Sequence, residues 1–395
     1  MATQTITQAE LPLKEYVHLP ETKEQCKHLT PIIKRTPTTH LTHQTVDYVD
    51  LTTIDLSLYD TPGGKQHLAT QLKQAAHEVG FFYVTNFGLT QSQLNRQYAI
   101  GRDLYALPIE ERLAHRAPLE EGNYNGYRPL GAVEIAPGMR DNVEMYNLFK
   151  FIPQTQRSQP DILKRHWAEI ESVHRHIHEH MAHRLLRLLA IALELSDEDA
   201  LVRGHRYNAN CDSALRYMMS RARSPEENAR CAGLYTRGHT DFGTLTFVFQ
   251  QPVAALQVKR DAGAEWQWLR IPEGHVAVNI ADMVELMSGG YFKSGVHRVV
   301  APPEDQAGSD RLGLLYFVRP SEELSLRGLG ALDSPLLRRL GYCRDAGQEA
   351  VVTDESKADI PATEWVRARV RKNWVRSDTK DVLSMGNFRT QLVYD

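Results

Sequence analysis

The chain has 395 residues, with 46 lysines and arginines against 49 acidic residues and a formal net charge of -3. That balance excludes a generic binder of nucleic acid or of an anionic membrane, which needs a basic excess. The 42% hydrophobic and 24% charged residues exclude a disordered, collagenous or coiled-coil chain, and no run reaches the roughly 18 to 20 uninterrupted apolar residues of a membrane helix. Residues 1–45 are polar and rich in Thr and His, without periodicity, and are expected to form a loose extension. They show no basic stretch followed by an apolar core, and Cys26, Cys211, Cys231 and Cys343 form no CxxC pair. The expected setting is therefore the reducing cytoplasm.

The folded part is expected to start at Val46. Leu68, Leu72, Ala75, Ala76 and Val79 recur at three- and four-residue steps, which predicts an amphipathic helix over 65–79. Gly80 stops it, and GFFYVTNFG then reads as a buried strand. Further helices are expected over 91–104 and, after Pro108, over IEERLA. The Gly- and Pro-containing stretch 122–150 reads as loops and short strands. A long helix is expected over 161–195, its apolar stripe running through Leu163, Ile170, Val173, Ile177, Met181 and Leu185. The HRHIHEHMAH run lies within it, and its histidines read as solvated side chains along the helix.

After Tyr207 the texture changes to SALRYMMS, GTLTFVFQ, ALQVKR, EWQWLRI, HVAVNIA, HRVVA and RLGLLYFVR, separated by turn residues. Short strands at such spacing predict an antiparallel sandwich or barrel. A last helix is expected over 363–374. Neither a GxGxxG fingerprint in its strand–helix context nor a GxSxG or GKS/GKT loop is present, so dinucleotide binding and serine-hydrolase chemistry are not expected. The Met218–Met219 and Trp266/Trp268 pairs read as core.

The chemistry rests on His239 and Asp241 in GHTDFGTL and on His297 in GVHRVV. Residues two apart beside a strand project from one face, so an imidazole and a carboxylate can converge on one metal ion. Two histidines and one carboxylate leave coordination positions open, as non-haem Fe(II) oxygen chemistry requires.

The order HTDFGTLT, then IPEGHVAVNIADMVELMSGGYFKSGVHRVV, then RLGLLYFVRP resembles the isopenicillin N synthase-like family of Fe(II)/2-oxoglutarate-dependent oxygenases. GFFYVTNFG and LPIEERLA extend the resemblance to roughly residues 46–375, although Phe87 stands where the family usually has His. The resemblance implies an α+β fold: a double-stranded β-helix (jelly-roll) core over 205–325, N-terminal helices and strands over 46–204, and a C-terminal helical tail over 326–395 that folds as a lid. It implies one catalytic domain with His239, Asp241 and His297 as iron ligands and Arg311 gripping the distal carboxylate of 2-oxoglutarate. O2 is the further cosubstrate, and decarboxylation to succinate precedes hydrogen abstraction from the substrate.

Two departures stand out. The family's Arg-x-Ser is Arg311-Leu312-Gly313 here, so a hydroxyl is missing, and a serine at 313 is expected to tighten 2-oxoglutarate binding. In place of a tyrosine-rich stretch stands LRYMMSRAR, where Tyr217 is the candidate substitute cosubstrate contact. The resemblance puts substrate contacts at Tyr127, Arg128, Tyr146, Phe149, Phe247 and Phe249. The expected substrate is a small organic molecule of secondary metabolism, undergoing hydroxylation, desaturation or ring formation, with no nucleic acid, membrane or protein partner. The alternatives are a 2-oxoglutarate-independent oxidase of the isopenicillin N synthase type, in which Arg311 holds a substrate carboxylate, and a non-catalytic ligand-binding jelly roll.

Overall fold

The structure is a computed structural model, describing residues 46–251, 253–261, 263–325, 332–342, 360–374, 382–385 and 388–391. The expected extension 1–45 lies outside the described residues, as does most of the expected lid beyond Trp374. In chain order the strands are β1 (Thr53–Asp55), β2 (Phe81–Thr85), β3 (Gly126–Arg128), β4 (Glu134–Ala136), β5 (Met139–Arg140), β6 (Val143–Phe149) and β7 (Ala214–Ser220). There follow β8 (Leu234–His239), β9 (Leu245–Phe249), β10 (Leu256–Lys259), β11 (Gln267–Trp268), β12 (His275–Ile280), β13 (Val296–Val300) and β14 (Arg311–Val318).

An eight-stranded sheet has the order β1-β2-β12-β9-β14-β7-β6-β3, and a four-stranded sheet the order β11-β10-β13-β8. Apart from the parallel β1–β2 pair, the strands within these sheets run antiparallel. This is the expected α+β architecture with a jelly-roll core.

Both faces of the large sheet are covered, which is why its strands read as near-continuous apolar runs. Phe82 and Val84 of β2 and Leu312, Leu314 and Tyr316 of β14 pack into the helix-side core. Phe81, Tyr83, Leu315 and Phe317 point the opposite way and join Tyr235, Leu256, Val258 and Val299 of the small sheet in a second core. Alternation along each strand thus divides one sequence between two layers.

The helix Gly64–Glu78 buries Leu68, Leu72, Ala75 and Ala76, as its spacing predicts. Gly80 then adopts φ +76°, and a Cβ there would sit 2.3 Å from the Lys293 carbonyl, so only glycine lets β2 approach the segment leading to β13. The helix Gln91–Ala106 starts with a capping box between Thr90 and Gln93.

The expected single helix over 161–195 is four pieces: Asp161–Arg165, Trp167–Arg175, a π-helical stretch His176–Ala182, and His183–Ala192. The histidine run is not solvated as expected. His174, in the α-helical turn before the π stretch, and His178, within it, are fully buried beside the apolar stripe. Tyr316 donates its hydroxyl to His178 Nδ1 (2.9 Å), and His178 Nε2–H donates to the His205 carbonyl (2.6 Å). His205 in turn donates from Nδ1 to the Leu201 carbonyl and accepts from the Thr244 hydroxyl, both at 2.7 Å.

Burial holds His174 at about 3 and His205 at about 4, and drives His178 well below its ordinary value. These imidazoles stay neutral in the fold but take up protons near pH 6.5 once unfolded. Their contribution is complete above that pH and is lost as pH falls below it, at about 1.4 kcal/mol per pH unit for each histidine. Urea midpoints measured at pH 7 and pH 5.5 should therefore drop steeply. Equal midpoints would mean that the three are not neutral in the fold.

Candidate metal centre

β8 ends on His239, Asp241 occupies the turn after it, and His297 is the second residue of β13. Only the histidine lies on the strand, so the turn, and not alternation, aims the carboxylate. Register sets His297 directly opposite His239, and their ring centroids are 4.2 Å apart. His297 Nε2 is 3.9 Å from Asp241 Oδ2, and one ligand atom from each of the three residues lies within 4.8 Å of the others. Among the described residues no other group of three or more potential ligands converges in this way.

Neighbouring groups orient each side chain. His239 donates from Nδ1 to the Arg237 carbonyl (2.8 Å) and His297 from Nδ1 to the Gly295 carbonyl (3.0 Å). Carbonyls only accept, so each Nε2 is left with a free lone pair for a metal. The Asn279 amide donates to Asp241 Oδ2 at 3.0 Å. A helix that the sequence reading missed, Asp282–Met287, fixes the turn: its first backbone N–H groups donate to the carbonyls of Asp241 (3.0 Å) and Gly243 (2.9 Å). Burial and the adjacent His297 push His239 down to about 4. Burial acts to raise the Asp241 pKa, but His297, His239 and the Asn279 hydrogen bond outweigh it and hold the carboxyl at about 2. At neutral pH the His239 imidazole is neutral and the Asp241 carboxylate is charged, which suits a divalent cation with open positions.

The three residues line a cavity of about 220 Å³ between the two sheets. Arg311 lines it too. Its side chain is buried, with 4% of the residue exposed, and its Nε and Nη1 have no hydrogen-bond partner. Burial lowers its pKa only to about 10, so the guanidinium remains charged. A buried cation without a counter-ion is costly, and a bidentate oxyanion satisfies it best. Ser220, opposite Arg311 on β7, has an unpartnered buried hydroxyl. The Gln251 amide is buried with neither its nitrogen nor its oxygen partnered. A Cβ at position 313 would stand 2.7 Å from Gln251 Nε2, so the amide fills the room that glycine leaves.

Two family models match the chain. One describes the N-terminal domain of a non-haem dioxygenase in morphine synthesis and matches residues 51–169; the other describes the 2OG-Fe(II) oxygenase superfamily and matches residues 209–320. The chain belongs to that superfamily. It is similar to a 1-aminocyclopropane-1-carboxylate oxidase of Dictyostelium discoideum, 24% identical over 311 residues, covering 70% of this chain and 83% of the relative. It is likewise similar to the 2-oxoglutarate-dependent dioxygenase frbH of Dothideomycetidae sp. (strain 11243), 27% identical over 297 residues, covering 73% and 87%. The solved structure of full-length Neurospora crassa T7H in complex with alpha-KG shares the fold, with a TM-score of 0.66 at 20% identity over 84% of this chain and 98% of that one. The protein is an Fe(II)/2-oxoglutarate-dependent oxygenase that oxidises a small organic molecule with O2. The oxidase alternative is not favoured.

For this oxygenase several expected contacts fall on the wrong face of their strands. Tyr217 does not reach the cavity: its hydroxyl donates to Gln97 in the helix-side core, and Met218, expected as core, lines the cavity instead. Tyr127 donates to Glu144 and Tyr146 to Gln159, both in the helix-side core. Phe247 and Phe249 also pack there, while Thr246 and Val248 line the cavity. Phe149 shares the face of Val143 and Met145 but not the cavity wall. Arg128 does line the cavity, ion-paired with Asp141. A one-residue error of phase sends a side chain to the opposite layer. Register holds the cure: Arg311, Gly313 and Leu315 pair with Ser220, Met218 and Arg216, so an inward Arg311 makes the even positions of β7 inward. Gln251 lies past the end of β9, where no periodicity marks it.

Proposed function

We propose that His239, Asp241 and His297 hold the iron of this oxygenase, and that Arg311, assisted by the Gln251 amide, holds the distal carboxylate of 2-oxoglutarate. The observation that carries the reading is a buried guanidinium with two unpartnered nitrogens in the same cavity as three convergent ligand atoms. Bound there, iron and 2-oxoglutarate supply the oxidising power. The protein orients the cosubstrate by its carboxylate, fixes the ligand imidazoles through their Nδ1 hydrogen bonds, and shields the reacting C–H bond from water between two sheets. We assign the single catalytic domain to residues 46–395, the setting to the cytoplasm and the pathway to secondary metabolism. Anaerobic titration with Fe(II), with and without 2-oxoglutarate, tests the reading. The metal-to-ligand charge-transfer band of the chelate should appear only with both, and its absence would refute the assignment.

The Gln251 amide changes what serine at position 313 is expected to do. Its Cβ must displace the amide, so one donor replaces another and Gly313→Ser alone should leave 2-oxoglutarate affinity within about threefold. Gln251→Ala should weaken it by about tenfold, the loss of one hydrogen bond to a charged group. The double variant should recover most of that loss. Titrating the charge-transfer band in all three decides the matter, and an unaltered Gln251→Ala removes the amide from the site.

A further inference from the structure

The cavity has a second cationic pole that 2-oxoglutarate cannot satisfy. The inward face of β14 runs through Arg311, Gly313, Leu315 and Phe317 to Arg319, just past the strand. From 311 to 319 is eight residues, about 26 Å of extended chain. A five-carbon dicarboxylate held at Arg311 falls far short of that.

At the far end two guanidinium groups flank one aromatic ring. Arg216, opposite Leu315 on β7, lies 4.2 Å from the Phe317 ring centroid, and Arg319 lies 6.0 Å from it. Arg216 donates its Nε to the Asn147 side chain (2.7 Å) and makes no ion pair among the described residues. Arg319 is 6% exposed, and its Nε has no partner. The nearby carboxylates are engaged: Asp141 pairs with Arg128, Asp212 with Arg367, and Asp241 belongs to the metal centre. Both arginines line the same cavity as His239, Asp241 and His297. Two neighbouring cations, Arg319 buried and Arg216 half-buried, that have no carboxylate of their own repel each other and are poorly solvated, and a planar oxyanion between them relieves both costs. Elsewhere the cavity lining includes the apolar side chains of Val143, Met145, Met218, Leu256 and Val299.

We propose that the substrate is a small carboxylic acid with a largely apolar body, its carboxylate gripped by Arg216 and Arg319. This rests on the reading that oxidation takes place in this cavity. The carboxylate anchors one end, so the carbon chain must pass the iron, and the distance of a C–H bond from the carboxylate selects the position oxidised.

The test is calorimetric titration of the Fe(II)-loaded protein under nitrogen, saturated with 2-oxoglutarate. The probes are phenylacetate, 4-phenylbutyrate and octanoate, the amide of each, and phenyl phosphate. At least one acid should bind at least about tenfold more tightly than its amide. Arg319→Leu and Arg216→Met should each abolish that preference while keeping the charge-transfer band, and Arg216→Lys should restore part of it, which separates loss of charge from misfolding. The proposal fails if no acid binds, if amides match their acids, or if phenyl phosphate outcompetes every acid. It also fails if the preference survives both arginine substitutions but disappears in Arg311→Leu. A missing charge-transfer band with an intact, Arg319-dependent acid preference would sink the cosubstrate assignment and leave this one standing.

Discussion

Replacing His239, Asp241 or His297 by alanine is expected to abolish turnover and to leave the circular dichroism spectrum unchanged. The three sit at the end of β8, in the turn after it and near the start of β13, none of them in the hydrophobic clusters that hold the layers together. Losing one removes a metal donor and at most an edge-on ring contact such as that of His297 with Phe81, so bound iron falls while secondary structure persists. Iron content and the far-ultraviolet spectrum, measured on the same samples, check this. A fully active variant would remove its residue from the ligand set. Asp241→Glu is the finer probe. The Asn279 amide and the pinned turn fix the carboxylate, so one more methylene shifts it by about 1 Å and should lower the rate by about 100-fold.

Arg311→Leu is expected to raise the apparent KM for 2-oxoglutarate by about 100-fold or more, because removing one partner of a buried ion pair costs about 3 to 5 kcal/mol. Among the described residues the guanidinium makes no ion pair that would be lost, so the free protein should unfold no more readily than the parent. Steady-state kinetics over a range of 2-oxoglutarate concentrations, paired with thermal unfolding, separate a lost cosubstrate contact from a damaged fold. Oxygen uptake without any 2-oxo acid, and without succinate, would overturn the assignment of Arg311 and favour the oxidase alternative.

The sequence made the metal centre legible because its three residues are chemically distinctive and sit in motifs of recognisable order. It made the jelly roll legible through seven strand-like runs, all of which fold as strands. The cavity wall was a different matter. Tyr217 and Met218 are neighbours in an almost wholly apolar run, and with both faces of the sheet buried no polar alternation says which of them points inward. Aromatic residues are the natural candidates for contacts, but Tyr127, Tyr146, Phe247 and Phe249 pack into the helix-side core. The burial of His174 and His178 is hidden for a related reason: they sit next to Val173 and Ile177 of the apolar stripe, and nothing in HRHIHEHMAH announces which imidazoles face the sheet. Arg216 and Arg319 lie more than 100 residues apart in the chain, and only register brings them to one phenyl ring.

The division of β14 between two layers also bears on how such a chain can change. Its odd positions face the cavity and its even positions face the helices, so a substitution at 313, 315 or 317 reshapes the chamber without disturbing Leu312, Leu314 or Tyr316. Inserting or deleting one residue does the opposite, exchanging the two sets at once and driving Arg311 into the helical core. Along this strand, and along β7 paired with it, new specificities are reachable by point replacement, whereas a change of length is forbidden. Variation in length is left to the loops at the sheet ends.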